Sequence, residues 1–209
     1  VTYPLSLHDA LPISVTLPFV VTAPTTVTAT VDPVLTFTVT GVAATQAANG
    51  EVTSIATEYN VMAFSYLTAG TPKFAAQDLS VKTNAYNGYT VTLRMYDDMT
   101  GTYPANNLDP FKGTAGTITW ASQDVWEEPT STTANTNTGW IGAHTNDTDL
   151  GYAEGDWGPL EDVGNSVMTS TTPDDGTALI RVSYAIEVNV YQPSDRYTGY
   201  IRYNCVPTY

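Results

Sequence analysis

From Val27 to Val39 every odd position is apolar or proline: Val27, Ala29, Val31, Pro33, Leu35, Phe37 and Val39. Apart from Val34, the even positions between Thr26 and Thr40 are polar. A period of two places all the apolar side chains on one face of an extended chain, the signature of a half-buried β-strand. The same alternation returns near the end, where Ala178, Ile180, Val182, Tyr184, Ile186, Val188 and Val190 share one parity and Arg181, Ser183, Glu187 and Asn189 the other. Threonine supplies much of the polar set, with 36 among 209 residues. It is β-branched, suits a pleated surface and disfavours helix. A mainly helical fold is excluded, and no stretch carries a useful helical period.

Between these two segments, further strands are expected at Val52–Glu58, Asn60–Leu67, Leu79–Thr83, Tyr89–Tyr96 and Thr117–Trp120. Asn87-Gly88 reads as a hairpin turn, since both residues tolerate positive φ. The turn Gln192-Pro193-Ser194-Asp195 leads to a last strand with Tyr197, Ile201 and Tyr203 on one face. Asp32-Pro33 splits the first alternating stretch into segments at roughly 15–31 and 34–40, because proline cannot donate to a ladder. Regularly spaced short strands with turn signals between them predict an all-β fold, an Ig-like or jelly-roll β-sandwich. Residues 97–175 differ in character: they hold 14 of the 21 acids, one base (Lys112) and all four tryptophans. They are expected to form an acidic, loop-rich insertion within a sandwich domain spanning 32–209, without a core of their own.

The net charge of −14 argues against nucleic acid or an anionic membrane as partner. No run of 18 apolar residues exists, so no transmembrane segment is expected. A basic region followed by an apolar one is missing at the start, as after removal of a signal peptide. Residues 2–14 (TYPLSLHDALPIS) look like translated sequencing-library adapter, so 1–14 is set aside from fold reasoning. The single cysteine, Cys205, excludes an intrachain disulfide and is expected to be a buried thiol.

The sequence lacks G-x-S-x-G, H-E-x-x-H, a phosphate loop and C-x-x-C, and no enzyme is expected. His144, the one histidine beyond the first 14 residues, reads as a solvated loop residue. The densest acidic run, Asn146–Asp156, offers Asp147, Asp149, Glu154 and Asp156 as oxygen ligands for a candidate calcium ion, the alternative being a solvated acidic loop. Trp126, Trp140 and Trp157 could serve as stacking platforms for a glycan, or could pack the insertion onto the sheet.

The segment 15–31 also has two readings. It could pair within its own sandwich, or it could act as a donor strand that completes a neighbour's sheet through Val15, Leu17, Phe19, Val27, Ala29 and Val31. Three stretches together carry a resemblance: Thr28–Gly41 (TATVDPVLTFTVTG), Leu67–Tyr89 (LTAGTPKFAAQDLSVKTNAYNGY), and Tyr184–Tyr209 with its Gln192-Pro193, Tyr197-Thr198-Gly199 and closing Pro207-Thr208-Tyr209. They resemble secreted, Thr-rich bacterial surface proteins. More distantly they are similar to pilus subunits of the spore coat protein U type and to camelysin-type biofilm fibre proteins. That resemblance implies an extracellular β-sandwich at the cell surface, joined to identical subunits in a head-to-tail homopolymer by strand donation. The alternative is a calcium-dependent glycan-binding or adhesive sandwich.

Overall fold

The computed structural model describes residues 23–103 and 105–209. The chain divides into two units, Val1–Asp32 and Pro33–Tyr209. In the first unit the described residues, 23–32, form no strand and are exposed throughout. Val15, Leu17, Phe19 and the adapter-like stretch lie outside the described residues.

The second unit is all-β. Its strands are β1 (Leu35–Gly41), β2 (Ala47–Ala48), β3 (Glu51–Val52), β4 (Lys73–Thr83), β5 (Tyr89–Thr100), β6 (Asn107–Pro110), β7 (Asp124–Val125), β8 (Gly139–Thr145), β9 (Asp156–Pro159), β10 (Asn165–Ser170), β11 (Asp174–Asp175), β12 (Ile180–Val188) and β13 (Thr198–Pro207). Eleven of them form one sheet in the order β1-β4-β12-β8-β6-β5-β10, with β11 on β4, β13 on β5, β9 on β8 and β7 on β9. The sheet curls about β6, which is parallel to β8 at Asp109 and Pro110 and antiparallel to β5 at Leu108 and Asn107.

The curl places two alternating faces against each other. Leu79 and Val81 of β4 and Val182, Tyr184 and Ile186 of β12 pack with Val91, Leu93 and Met95 of β5 and Met168 of β10. At about 1.5–3 kcal/mol for each large apolar side chain withdrawn from water, this layer is the main source of stability. Within it the hydroxyls of Tyr184 and Tyr203 hydrogen-bond each other, and Gln77 Oε1 accepts from Tyr203 at 3.3 Å.

Several expectations change. Asn60–Leu67 forms no strand, and of Val52–Glu58 only Val52 belongs to one. Their backbone polar groups are met individually: Ser54 N–H donates to Phe74 O at 2.7 Å, Thr57 N–H to Val42 O at 2.9 Å and Glu58 N–H to Val61 O at 2.9 Å. Thr117–Trp120 contributes only an isolated bridge, Thr119 to Ser122. Asn87-Gly88 is a turn but not a hairpin, because β4 and β5 run in different parts of the sheet and do not pair. Thr208 closes the turn from outside, donating to Gly88 O and accepting from Asn87 N. The segment 97–175 is not merely an insertion of loops. It provides β8, paired to both β12 and β9, and β10, paired to β5.

Gly88 has φ +74° and an added Cβ there would lie 2.0 Å from Ser170 O, whereas Gly116 has φ +67° with nothing within 4 Å. Gly116→Ala therefore meets only the backbone penalty of about 1–2 kcal/mol, and Gly88→Ala adds a clash with main chain. Thermal unfolding followed by circular dichroism should place Gly88→Ala at least ~3 °C below Gly116→Ala, at roughly 2–4 °C per kcal/mol for a chain of this size.

Candidate functional site

Two places gather features beyond packing: the β1 and β13 edges of the sheet, and a cleft on its outer face. The edges come first. β1 pairs only with β4, and β13 only with β5, among the described residues. Each therefore presents a row of backbone donors and acceptors with no ladder partner. Val34 fixes the entry to β1, where its N–H donates to Asn84 Oδ1 at 2.8 Å and its carbonyl accepts from Thr83 Oγ1 at 2.8 Å.

Both edge strands alternate, but their inward faces are only half-buried. Phe37 and Val39 of β1 and Ile201, Tyr203 and Cys205 of β13 pack against the core without being sealed in it. The Phe37 and Tyr203 rings meet edge-to-face across the seam, 6.0 Å between centroids. Burial pushes the Cys205 thiol up, so it is a protonated apolar group at neutral pH. Of the candidate donor residues, Val27 and Val31 are 88% and 82% exposed; Ala29 is exposed as well.

The outer face of β4, β12 and β8 carries the second place. Part of it, including Phe74 of β4 and Ala185 of β12, packs with Phe111, Ile118, Trp140 and Trp157 of the acidic segment, and Trp126 packs against them. Trp140 and Trp157 are buried, and Trp126 stacks on Phe111 at 4.4 Å. The three tryptophans expected as glycan platforms thus spend their faces on each other and on phenylalanine. Trp126 Nε1 also donates to Glu187 Oε2 at 2.6 Å. Burial raises the Glu187 carboxyl above its usual range, and the tryptophan hydrogen bond works in the opposite direction.

The acidic run does not assemble as expected. Asp147 is buried, with Oδ1 accepting from Asp149 N at 3.0 Å and Oδ2 from Thr169 N at 2.7 Å. It caps the short 3-10 turn Thr148–Leu150 and ties it to β10. Asp149 and Glu154 are exposed, and Asp156 is half-buried in β9. Among the described residues no three His, Cys, Asp or Glu side chains come together as a metal-binding group. Asp147, Asp149, Glu154 and Asp156 are therefore not gathered around one point.

His144 is not a solvated loop residue. It lies on β8, 2% exposed, with Nδ1 3.0 Å from Gln123 Oε1 and its ring 6.4 Å from that of Trp157. The run Gly139–Thr145 is buried on both faces, so it lacks the alternation by which a strand is recognised. Beside His144 the outer face opens into a cleft of about 550 Å³. Its wall holds Arg181 and Asp78, directly opposite in register, joined by two hydrogen bonds of 2.7 and 2.8 Å.

Burial lowers the His144 pKa from 6.5 to about 4. The unfolded chain then binds the extra proton below pH 6.5, while the folded chain does not do so until about pH 4. His144 thus adds nothing to the pH dependence above 6.5 and removes stability as the pH falls through that window, by at most about 3 kcal/mol. Glu187, raised in the folded state, acts in the opposite sense at acid pH. The contribution of His144 is therefore read as a difference: denaturant unfolding at pH 7 and 4.5 should show wild type losing ~2 kcal/mol more than His144→Gln. An equal loss in both would remove this role.

No family model matches the chain, and no curated protein or solved structure is significantly similar to it.

Proposed function

We propose that this protein is the structural subunit of an extracellular bacterial filament, in which the N-terminal arm of one copy adds as a strand to the β13 edge of the next. The observation that carries the reading is the pairing of an unsatisfied seam with a strand-forming segment whose described residues, 23–32, lie in no strand. The inward side chains Ile201, Tyr203 and Cys205 stay half-buried beside an open edge. The alternating segment with Val27, Ala29 and Val31 is exposed. On this reading the curled sheet is an Ig-like or jelly-roll sandwich short of one strand between β1 and β13. β13 is the better acceptor, with ten residues against seven in β1.

Added strands gain main-chain hydrogen bonds for affinity and side-chain pockets for register. The arm from 15 to 31 offers six candidate apolar side chains, on the order of 10 kcal/mol gross before the entropy of ordering is subtracted. One arm and one groove per copy, used head to tail, do not close, so the product is a fibre. The scarcity of lysine and the charge of −14 oppose sideways sheet pairing.

Cys205, the only cysteine, reports directly on the joint. Under a mild oxidant, Val27→Cys, Ala29→Cys or Val31→Cys should yield disulfide-linked ladders with Cys205 of the next copy. Thr28→Cys, of opposite parity, should not. Electron microscopy should show fibres for the full chain and single particles after deletion of 15–31. Fibres of normal length from the deleted chain, or the absence of any ladder from the three odd positions, overturns the proposal.

A further inference from the structure

The outward face of β13 carries an uncompensated charge. Arg202 stands directly opposite Arg94 of β5, and Tyr200 opposite Tyr96. Both guanidinium groups lie over the Tyr96 ring, Arg94 at 4.5 Å and Arg202 at 5.4 Å from its centroid. Like charges directly opposite across a strand pair destabilise it. The chain has only seven bases against 21 acids, so two arginines do not meet here through crowding. Asp162 relieves Arg94 from 3.5 Å away. Arg202 takes part in none of the ion pairs among the described residues. One flank of β13 is occupied by β5, so a strand added on the other flank is where a compensating acid can come from.

The arm carries such an acid. Between Asp9 and Glu51 the chain has a single charged side chain, Asp32, and it is exposed. Its parity is opposite to that of Val27, Ala29 and Val31, so in an extended arm it turns outward while they turn inward. Residues facing each other in a strand pair project to the same side, which matches Asp32 to Arg202 and the apolar set to Tyr203 and Cys205.

We propose, building on strand addition at β13, that the arm of one copy runs antiparallel to β13 of the next with Asp32 opposite Arg202. This register sets Val31 opposite Tyr203, Ala29 opposite Cys205 and Val27 opposite Pro207, so the half-buried Tyr203 and Cys205 are both covered. A parallel arm with the same ion pair would set Val31 opposite Ile201 and Ala29 opposite Gly199, then leave β13 at its start, Thr198. Tyr203 and Cys205 would then have none of the three apolar residues opposite them. The repetitive arm needs a device of this kind. A slip of two residues keeps every side chain on its face and merely brings Thr30 opposite Arg202, so the apolar pattern alone does not choose between registers. The ion pair does.

Two experiments on the full chain test direction and register. Directly opposed Cα atoms lie about 4.5–5.5 Å apart, inside the disulfide range of about 4.4–6.8 Å, while residues two places along are about 7–8 Å away. Ala29→Cys should therefore form its ladder with Cys205 of the next copy about tenfold faster than Val27→Cys or Val31→Cys. In the second experiment, Asp32→Arg and Arg202→Asp should each raise the critical concentration for fibre growth about three- to tenfold, read by sedimentation. The double variant keeps the net charge of −14 and should return to within twofold of wild type. Both positions are exposed, and circular dichroism should show the wild-type fold in each variant. Ladders that form fastest from position 27 or 31, single variants that assemble like wild type, or a double variant no better than its weaker parent would overturn the register and leave strand addition standing. No fibres from wild type and no ladder from any of the three positions would overturn both.

Discussion

β12 and β8 are covered on both faces, and the remainder of the structure is arranged around that constraint. Their inner faces meet β5 and β10; their outer faces meet the aromatic layer of the acidic segment. A strand covered on both sides has little room to vary. An added Cβ at Gly142 would lie 2.9 Å from Gly158 O and 3.0 Å from the Trp126 ring, so glycine there permits the aromatic layer to close. At ~150–250 Å² each, the buried tryptophans contribute about 4–6 kcal/mol apiece in gross transfer free energy. That gain is what makes a segment carrying −13 of the net charge an integral part of the sheet rather than a repelled loop.

The polar groups under this layer follow from the same constraint. Glu187 and His144 lie on the covered face because β12 and β8 pair in the register Glu187 to Trp140 and Ser183 to His144. Each must then be neutral or hydrogen-bonded. Glu187 takes the Trp126 indole and shifts toward its protonated form; His144 faces Gln123 and stays uncharged. Where the aromatic layer ends, the same outer face must face water, and there the Asp78–Arg181 pair and Ser183 appear. The cleft is thus the boundary of the second core.

What could be read from the sequence is what depends on one face being dry. β1, β5, β12 and β13 each have an alternating pattern, and each was visible as such. β8, with glycine, tryptophan, isoleucine, alanine and histidine in succession, was hidden because burial on both sides erases the period. The Asn60–Leu67 run misled in the other direction: Met62, Phe64 and Leu67 pack inward from irregular backbone, held by side-chain bonds such as Lys73 Nζ to Phe64 O at 2.8 Å. The tryptophans signalled aromatic surface correctly but not its direction, since a stacking platform and a core anchor look alike until the partner ring is known.

The seam and the cleft lie on different parts of the sheet, since β13 pairs with β5 whereas the cleft lies beside β4 and β12. Ile201 and Tyr203 look inward with the core, while Ser183 and Arg181 look outward beside β2. A strand added at β13 therefore extends the inner layer and leaves the outer-face cleft open on every copy. That separation has an energetic meaning. Head-to-tail addition at the edge would repeat the outer face once per subunit, and weak contacts so repeated gain avidities roughly 10²- to 10⁴-fold above a single one when the spacing lets several engage. Assembly by the edge would thus supply a strength that no single outer-face contact has.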